Sequence, residues 1–152
     1  MNKAIVTALS SVVTAQGLKI PFEYATTGKW NLKSAFIPGG MPSSHSAGVT
    51  SLATYVGLSK GFRSPEFAIS TMLGLIVMYD AAGVRFHAGE TAMVVNDLEN
   101  RMEQVYESHP EYGEIKKRKE LEERLGHLPS EVVAGAFLGM ALGALGYLFS
   151  KR

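Results

Sequence analysis

Residues 132–149 read VVAGAFLGMALGALGYLF, a run with no charged side chain and with Gly135, Gly139 and Gly143 at every fourth place. A helix needs roughly 20 apolar residues to span the hydrocarbon core of a bilayer, with about 17 as the lower limit, and this run approaches that length. Glycine in the interior of a water-exposed helix costs about 1 kcal/mol against alanine. Three in register therefore point to a flat stripe against which a second helix packs closely, the interface that small residues make inside membranes.

Three more apolar helical segments precede this one, at residues 4–18, 45–58 and 67–84. The third is close to a full span. The first two are shorter and are expected to be short, tilted or partly shielded by protein. The expected fold class is all-α: a small membrane helical bundle of about four apolar helices plus an amphipathic helical insert. A chain of 152 residues closes around one core, so residues 1–152 are read as a single domain. The opening MNKAIVTALSSVVTAQGLK has the Lys3-then-apolar order of a signal peptide. Thr7, Ser10, Ser11 and Thr14 dilute its apolar run, and it is read as a retained helix.

The polar insert covers residues 86–126. Within it Val95, Leu98, Met102 and Val105 follow a three–four spacing, which predicts an amphipathic helix over 93–106, lying along the membrane surface or capping the bundle. A second short helix is expected over about 114–125. Its run Lys116, Lys117, Arg118 and Lys119 reads as a solvated face, with anionic lipid headgroups as the alternative partner.

Composition narrows the function. The net charge of +1 and pI near 8.0 lack the basic excess that nucleic-acid binding draws on, so no nucleic-acid partner is expected. With no cysteine, disulfides, thiolate metal sites and thiol catalysis are excluded. The mean hydropathy of +0.07 reflects apolar segments separated by polar stretches rather than a uniformly mixed chain.

If all four segments cross the membrane, successive ones run in opposite directions. The end of the first, the start of the second, the end of the third and the start of the fourth then share one side, which gathers Lys19, His45, Arg85 and His127. That side also holds Lys29, Lys33, Arg101, Lys116, Lys117, Arg118, Lys119 and Arg124, against Lys3, Lys60, Arg63, Lys151 and Arg152 on the other. The excess of positive charge leans it toward the cytoplasm of a multi-pass cell-membrane protein. A glycine-striped helix also leaves pairing with a second copy open, as a homo-oligomer.

Two histidine motifs lie on that side. The first is Gly39-Gly40-Met41-Pro42-Ser43-Ser44-His45-Ser46, at the opening of the second segment. A glycine pair before a helix start supplies backbone N–H groups and the positive end of a helix dipole, which suits an anion. Ser43 or Ser44 as a helix N-cap explains the serines by themselves. It does not explain His45, which is placed to donate a proton. The second motif is Gly126-His127-Leu128-Pro129-Ser130-Glu131, at the opening of the fourth segment. Pro129 suits the first turn of a helix. Glu131, four residues after His127, can accept an imidazole N–H and leave the other ring nitrogen free to attack phosphorus.

Pro42-Ser43-Ser44-His45 resembles the Pro-Ser-Gly-His motif of the type 2 phosphatidic acid phosphatase superfamily. The stretch from His127 through Pro129, Ser130 and Glu131 to Gly135 resembles its His-x-Pro-Ser-Asp-x-x-x-Gly motif. From about Lys3 to Gly146, including Tyr79-Asp80-Ala81-Ala82-Gly83-Val84-Arg85, the chain is similar to the divergent branch of that superfamily described as acid phosphatase and vanadium-dependent haloperoxidase-related. The resemblance implies a phosphatase that needs no metal or other cofactor and acts on a phosphorylated lipid: His127 attacks phosphorus, oriented by Glu131, His45 protonates the leaving oxygen, and water releases phosphate. Lys19, Arg85, Gly40, Ser43 and Ser44 are the expected phosphate-binding groups.

The chain departs from the superfamily pattern at four places. Thr26 and Thr27 stand where Arg-Pro is expected, Leu121 stands where a second arginine is expected, Ser44 replaces glycine and Glu131 replaces aspartate. Arg85 is the candidate substitute for a missing arginine, with a salt bridge to Asp80 or a membrane-boundary anchor as its other reading. The missing arginines keep open a non-catalytic membrane protein that binds a phosphorylated lipid headgroup, and a vanadate-dependent peroxidase site is a third reading.

Overall fold

The computed structural model describes residues 2–36, 39–109, 112, 119–123 and 125–151, the side chains of Lys33 and Phe36 excepted. Five α-helices run through them: α1 Lys3–Thr27, α2 Ser44–Lys60, α3 Pro65–Ala82, α4 Val84–Ser108 and α5 Pro129–Ser150, with a short 3-10 helix at Leu32–Phe36. No strand occurs among the described residues. Local chemistry sets several of the ends. The Asn2 side chain accepts from the amides of Ala4 and Ile5, and Gly28, left-handed at φ 70°, closes α1. Ser43 and Ser64 cap α2 and α3, and Pro65 and Pro129 occupy first-turn positions where no amide is needed.

The centre of the bundle is α2, packed against α1, α3 and α5. Its contact with α5 runs along the glycine stripe. A side chain at Gly135 would collide with the backbone of Ser43, at Gly139 with that of Ala47, and at Gly143 with that of Ser51. The stripe is thus occupied within the chain, by α2, rather than left for a second copy. Thr50 bridges the same seam, its hydroxyl within 2.7 Å of Ser46 C=O and 3.1 Å of Ala136 C=O. On the other side of α2, Gly48 admits Val12 of α1, and the hydroxyls of Ser11 and Ser51 lie 2.8 Å apart.

The interior is accordingly small and hydroxylic, with Ser11, Ser43, Ser46 and Ser51 each at most 1% exposed. Large apolar side chains such as Leu9, Val13, Ile69, Ile76, Phe137 and Leu148 point outward. This distribution suits hydrocarbon surroundings, where helices associate by close packing and interhelical hydrogen bonds.

Among the described residues, three helical stretches are long and apolar enough to cross a membrane: α1, the stretch that begins with α3, and α5. Expected to be short, the first segment is instead a 25-residue helix. The apolar run ends at Leu18 but the helix continues through Lys19, whose side chain is buried. At 17 residues α2 stays short and is shielded by its three neighbours, as expected.

The insert differs more. Its first helix starts at Val84, directly after Gly83 (φ −111°, ψ −87°), and the i to i−4 bonds Gly83 N–H to Tyr79 C=O and His87 N–H to Gly83 C=O continue on either side of that residue. Leu98, Met102 and Val105 are exposed, while the buried face is Gly89, Ala92 and Asn96. Residues 119–123 and 125 are not helical, in contrast to the helix expected over 114–125, of which residues 114–118 and 124 lie outside the described residues. The cause is tertiary: the backbone of this segment is bonded to α4 rather than to itself. The Asn96 amide nitrogen donates to Leu121 C=O at 3.0 Å, and Leu121 N–H donates to Asn96 Oδ1 at 3.0 Å.

Replacing Gly139 with alanine should lower stability by about 1–3 kcal/mol, the usual result of overpacking. Gly17→Ala, at a helix position with nothing nearby, should be neutral or gain up to about 1 kcal/mol. Unfolding of the two variants in mixed micelles checks this, and equal stabilities would contradict a close α2–α5 contact.

Candidate functional site

His45 enters the site through the start of α2. Ser43 Oγ accepts from the Ser46 amide at 3.3 Å and lies 3.1 Å from the Ser46 hydroxyl, closing the first turn. The Ser43 N–H donates to Glu131 C=O at 3.1 Å, which, together with the contact of Gly135 on Ser43, ties the start of α2 to the start of α5. His45 lies on the exposed side of that first turn. Its ring centroid is 6.0 Å from that of His127.

His127 is 4% exposed. Its backbone N–H donates to Ala81 C=O at 2.9 Å, satisfying a carbonyl in the last turn of α3, where intrahelical partners run out. Its Nδ1 lies 3.0 Å from Glu131 Oε2. The same oxygen accepts the Leu128 N–H at 3.1 Å, the glutamate half of a capping box. Glu131 therefore starts α5 and holds the imidazole with one carboxylate. With Nδ1 engaged, Nε2 is the nitrogen left for chemistry.

The remaining expected site residues divide into two groups. Lys19 is 4% exposed, interacts electrostatically with Glu131, and its aliphatic stem borders Gly40. Gly39 and Gly40 are both left-handed, at φ 81° and 83°, a conformation that favours glycine. Ser44 is buried beside them in sequence. Arg85 is on the other flank: its Nε bonds Asp80 Oδ2 at 2.6 Å, with the arginine side chain 59% exposed. The five-residue separation meets because the helix is broken at Gly83 between them. Lys19, Arg85, Asp80 and His127 all lie within electrostatic reach of His45. His87 is an exposed residue paired with Glu90, and His109 is exposed as well.

A cavity of about 450 Å³ opens among Lys19, Gly39, Gly40, Gly126, Leu128 and Glu131, with Glu23 and Glu123 also in its lining. Neither imidazole lines it. Gly126 and Leu128, the chain neighbours of His127, and Glu131, its partner, are among its lining residues.

Sequence reasoning missed the group that delivers His127. Asn96, 6% exposed, holds Leu121 at both backbone atoms and also donates to Glu123 Oε1 at 2.8 Å. Gly89 admits the backbone of Glu123 and Leu125, and Gly126, left-handed at φ 77°, lies against the backbone of Arg85 and Phe86, where a side chain has no room. The available signal was the small and polar spacing Gly89, Ala92, Asn96 on one face of a helix whose apolar stripe drew the reading instead.

The sequence profile of the divergent PAP2 family matches residues 1–142, a stretch that contains both histidine motifs. The chain belongs to the divergent PAP2 family. YuiD, an uncharacterized membrane protein of Bacillus subtilis (strain 168), is 41% identical over 152 residues, covering 97% of this chain and 96% of its own. No solved structure matches.

Asn96→Ala should speed amide hydrogen exchange in residues 121–127 by about tenfold or more, the order expected when buried hydrogen bonds are lost, while amides at the α2–α5 seam keep their protection. Hydrogen-exchange mass spectrometry resolves the two regions, and unchanged exchange at 121–127 would remove Asn96 from this role.

Proposed function

We propose that this divergent PAP2 protein is a membrane phosphatase for lipid phosphates or diphosphates, working through a phosphohistidine and without metal. The observation that carries the reading is the buried His127, its Nδ1 held by Glu131 with the His45 ring 6.0 Å away. In the first step Nε2 of His127 attacks phosphorus, the bond from phosphorus to the ester oxygen breaks, and His45 in its protonated form gives that oxygen its proton. In the second step neutral His45 takes a proton from water, the water oxygen bonds to phosphorus, and the P–N bond breaks to release inorganic phosphate. Glu131 stabilises the imidazolium character that His127 gains. Lys19, the Gly40 amide, Ser43, Ser44 and Arg85 are the groups proposed to balance the phosphoryl oxygens. Ser43 contributes chiefly through the capped start of α2, since its hydroxyl and amide are already bonded. The excess of Lys and Arg on the side that carries the motifs supports a site on the cytoplasmic face of the membrane.

One observation favours a second reading. Arg85, the substitute for a missing superfamily arginine, is bonded to Asp80, which leaves less positive charge for a transition state and suits a protein that binds a phosphorylated headgroup without cleaving it.

Phosphate release from phosphatidic acid, phosphatidylglycerol phosphate and polyprenyl diphosphate, assayed in detergent with chelator, separates the two. The phosphatase reading expects turnover that falls by roughly 10²–10⁴-fold in His45→Ala and disappears in His127→Ala, with a base-stable, acid-labile phosphoryl label on the native chain only. No turnover by a folded protein that still binds phosphate or vanadate supports headgroup binding. Vanadate-supported peroxidase activity in place of inhibition would overturn both.

A further inference from the structure

Beside the polar cavity lies a second one of about 430 Å³, between α1 and α5, within the roughly 300–1,000 Å³ range of small-molecule sites. Leu18, Pro21 and Ala25 form its α1 wall, and Ala134 and Leu138 its α5 wall; every side chain that lines it is apolar. Phe22 and Met41 belong to both cavities, so the polar space beside Lys19 and Glu131 and the apolar groove share one partition. Both walls are on helices long and apolar enough to cross a membrane, and Leu18 and Phe22 are partly exposed on the outer surface. The groove therefore lies between two helices of membrane-spanning length and adjoins the cavity at Lys19 and Glu131.

We infer that this α1–α5 groove seats the hydrocarbon chain of a phosphorylated amphiphile whose head occupies the cavity at Lys19 and Glu131. The inference rests on the phosphate-site reading above for the identity of the head. A chain leaving the cavity past Phe22 and Met41 enters an apolar surface without crossing water, which makes the chain, and not only the phosphate, part of what is recognised. Ala25 and Ala134 are the specificity-determining positions, because a larger side chain at either would fill the groove from one wall while leaving both histidines and Lys19 in place.

The test uses the full chain in phosphatidylcholine nanodiscs, with Ala134→Trp to fill the groove from α5 and Ala25→Leu as a milder filling from α1 that guards against misfolding of the first. The probe is a phosphonate analogue of phosphatidic acid carrying a photoreactive diazirine in its chain. Labelling is expected on the groove residues of α1 and α5, competed by dioleoyl phosphatidic acid but not by added phosphatidylcholine, and reduced in both variants. Where phosphate release is measurable, Ala134→Trp should lower kcat/KM for dioleoyl phosphatidic acid about tenfold or more and for dihexanoyl phosphatidic acid less than about twofold, since only the long chain buries extensive apolar surface. Equal losses on both substrates overturn the inference. So does labelling spread evenly over outward positions such as Ile76 and Phe137, which marks bulk lipid only, or groove cross-links to a second copy of the chain. If no phosphate is released from either lipid, the phosphatase reading fails, and the labelling pattern still decides whether the groove holds the chain.

Discussion

The structure depends first on the contact between α2 and α5, where three glycines let one helix rest on the backbone of the other. Because Gly135 meets Ser43 and the Ser43 amide bonds Glu131 C=O, the depth of that seam sets the distance between the two helix starts. His45 and Glu131 each follow within a few residues of it. The separation of the two imidazoles is thus a property of backbone packing, and a bulky residue in the stripe would act on the site as well as on the fold.

Close packing of this kind replaces the driving force that a soluble bundle draws from burying large apolar side chains. Here those side chains face outward and the serines face inward. A buried hydroxyl needs a partner in a setting without water, and two such partners are found across helices: Ser11 with Ser51, and Thr50 with Ala136 C=O. Small polar residues in the interior also explain how a 17-residue α2 is tolerated, since its surroundings along the bundle are protein rather than lipid.

His127 arrives by a different route. After α4, the described non-helical residues ahead of His127 are fastened to α4 at Asn96 and Gly89, and at Gly126 against the start of α4. Only then does the His127 amide reach Ala81 C=O and its ring reach Glu131. His127 is thereby held by three elements, α3, α4 and α5, whereas His45 sits in the first turn of α2 and is exposed. A buried His127 held by Glu131 beside an exposed His45 suits the roles proposed for them: an attacking nitrogen must be aligned in advance, while a donor must exchange protons with water between turnovers.

Much of this was legible in the chain itself. Apolar length and the four-residue glycine period identified α5 and its use as a packing face, the motif residues at two helix starts identified His45, His127 and Glu131, and alternation of direction brought Lys19, His45, Arg85 and His127 to one side. These features are local or follow from chain order. Other features required the tertiary structure, because they are settled by partners distant in sequence: that α1 continues past Leu18 with Lys19 buried, that the face of α4 turned inward is Gly89, Ala92 and Asn96 rather than its apolar stripe, and that residues 119–123 are not helical, with the Leu121 backbone bonded to Asn96. Whether Arg85 meets Asp80 was likewise decided by the break at Gly83, since an unbroken helix would turn residues five apart away from each other. Periodicity tells which faces a helix has; which of them is covered depends on what the rest of the chain brings to it.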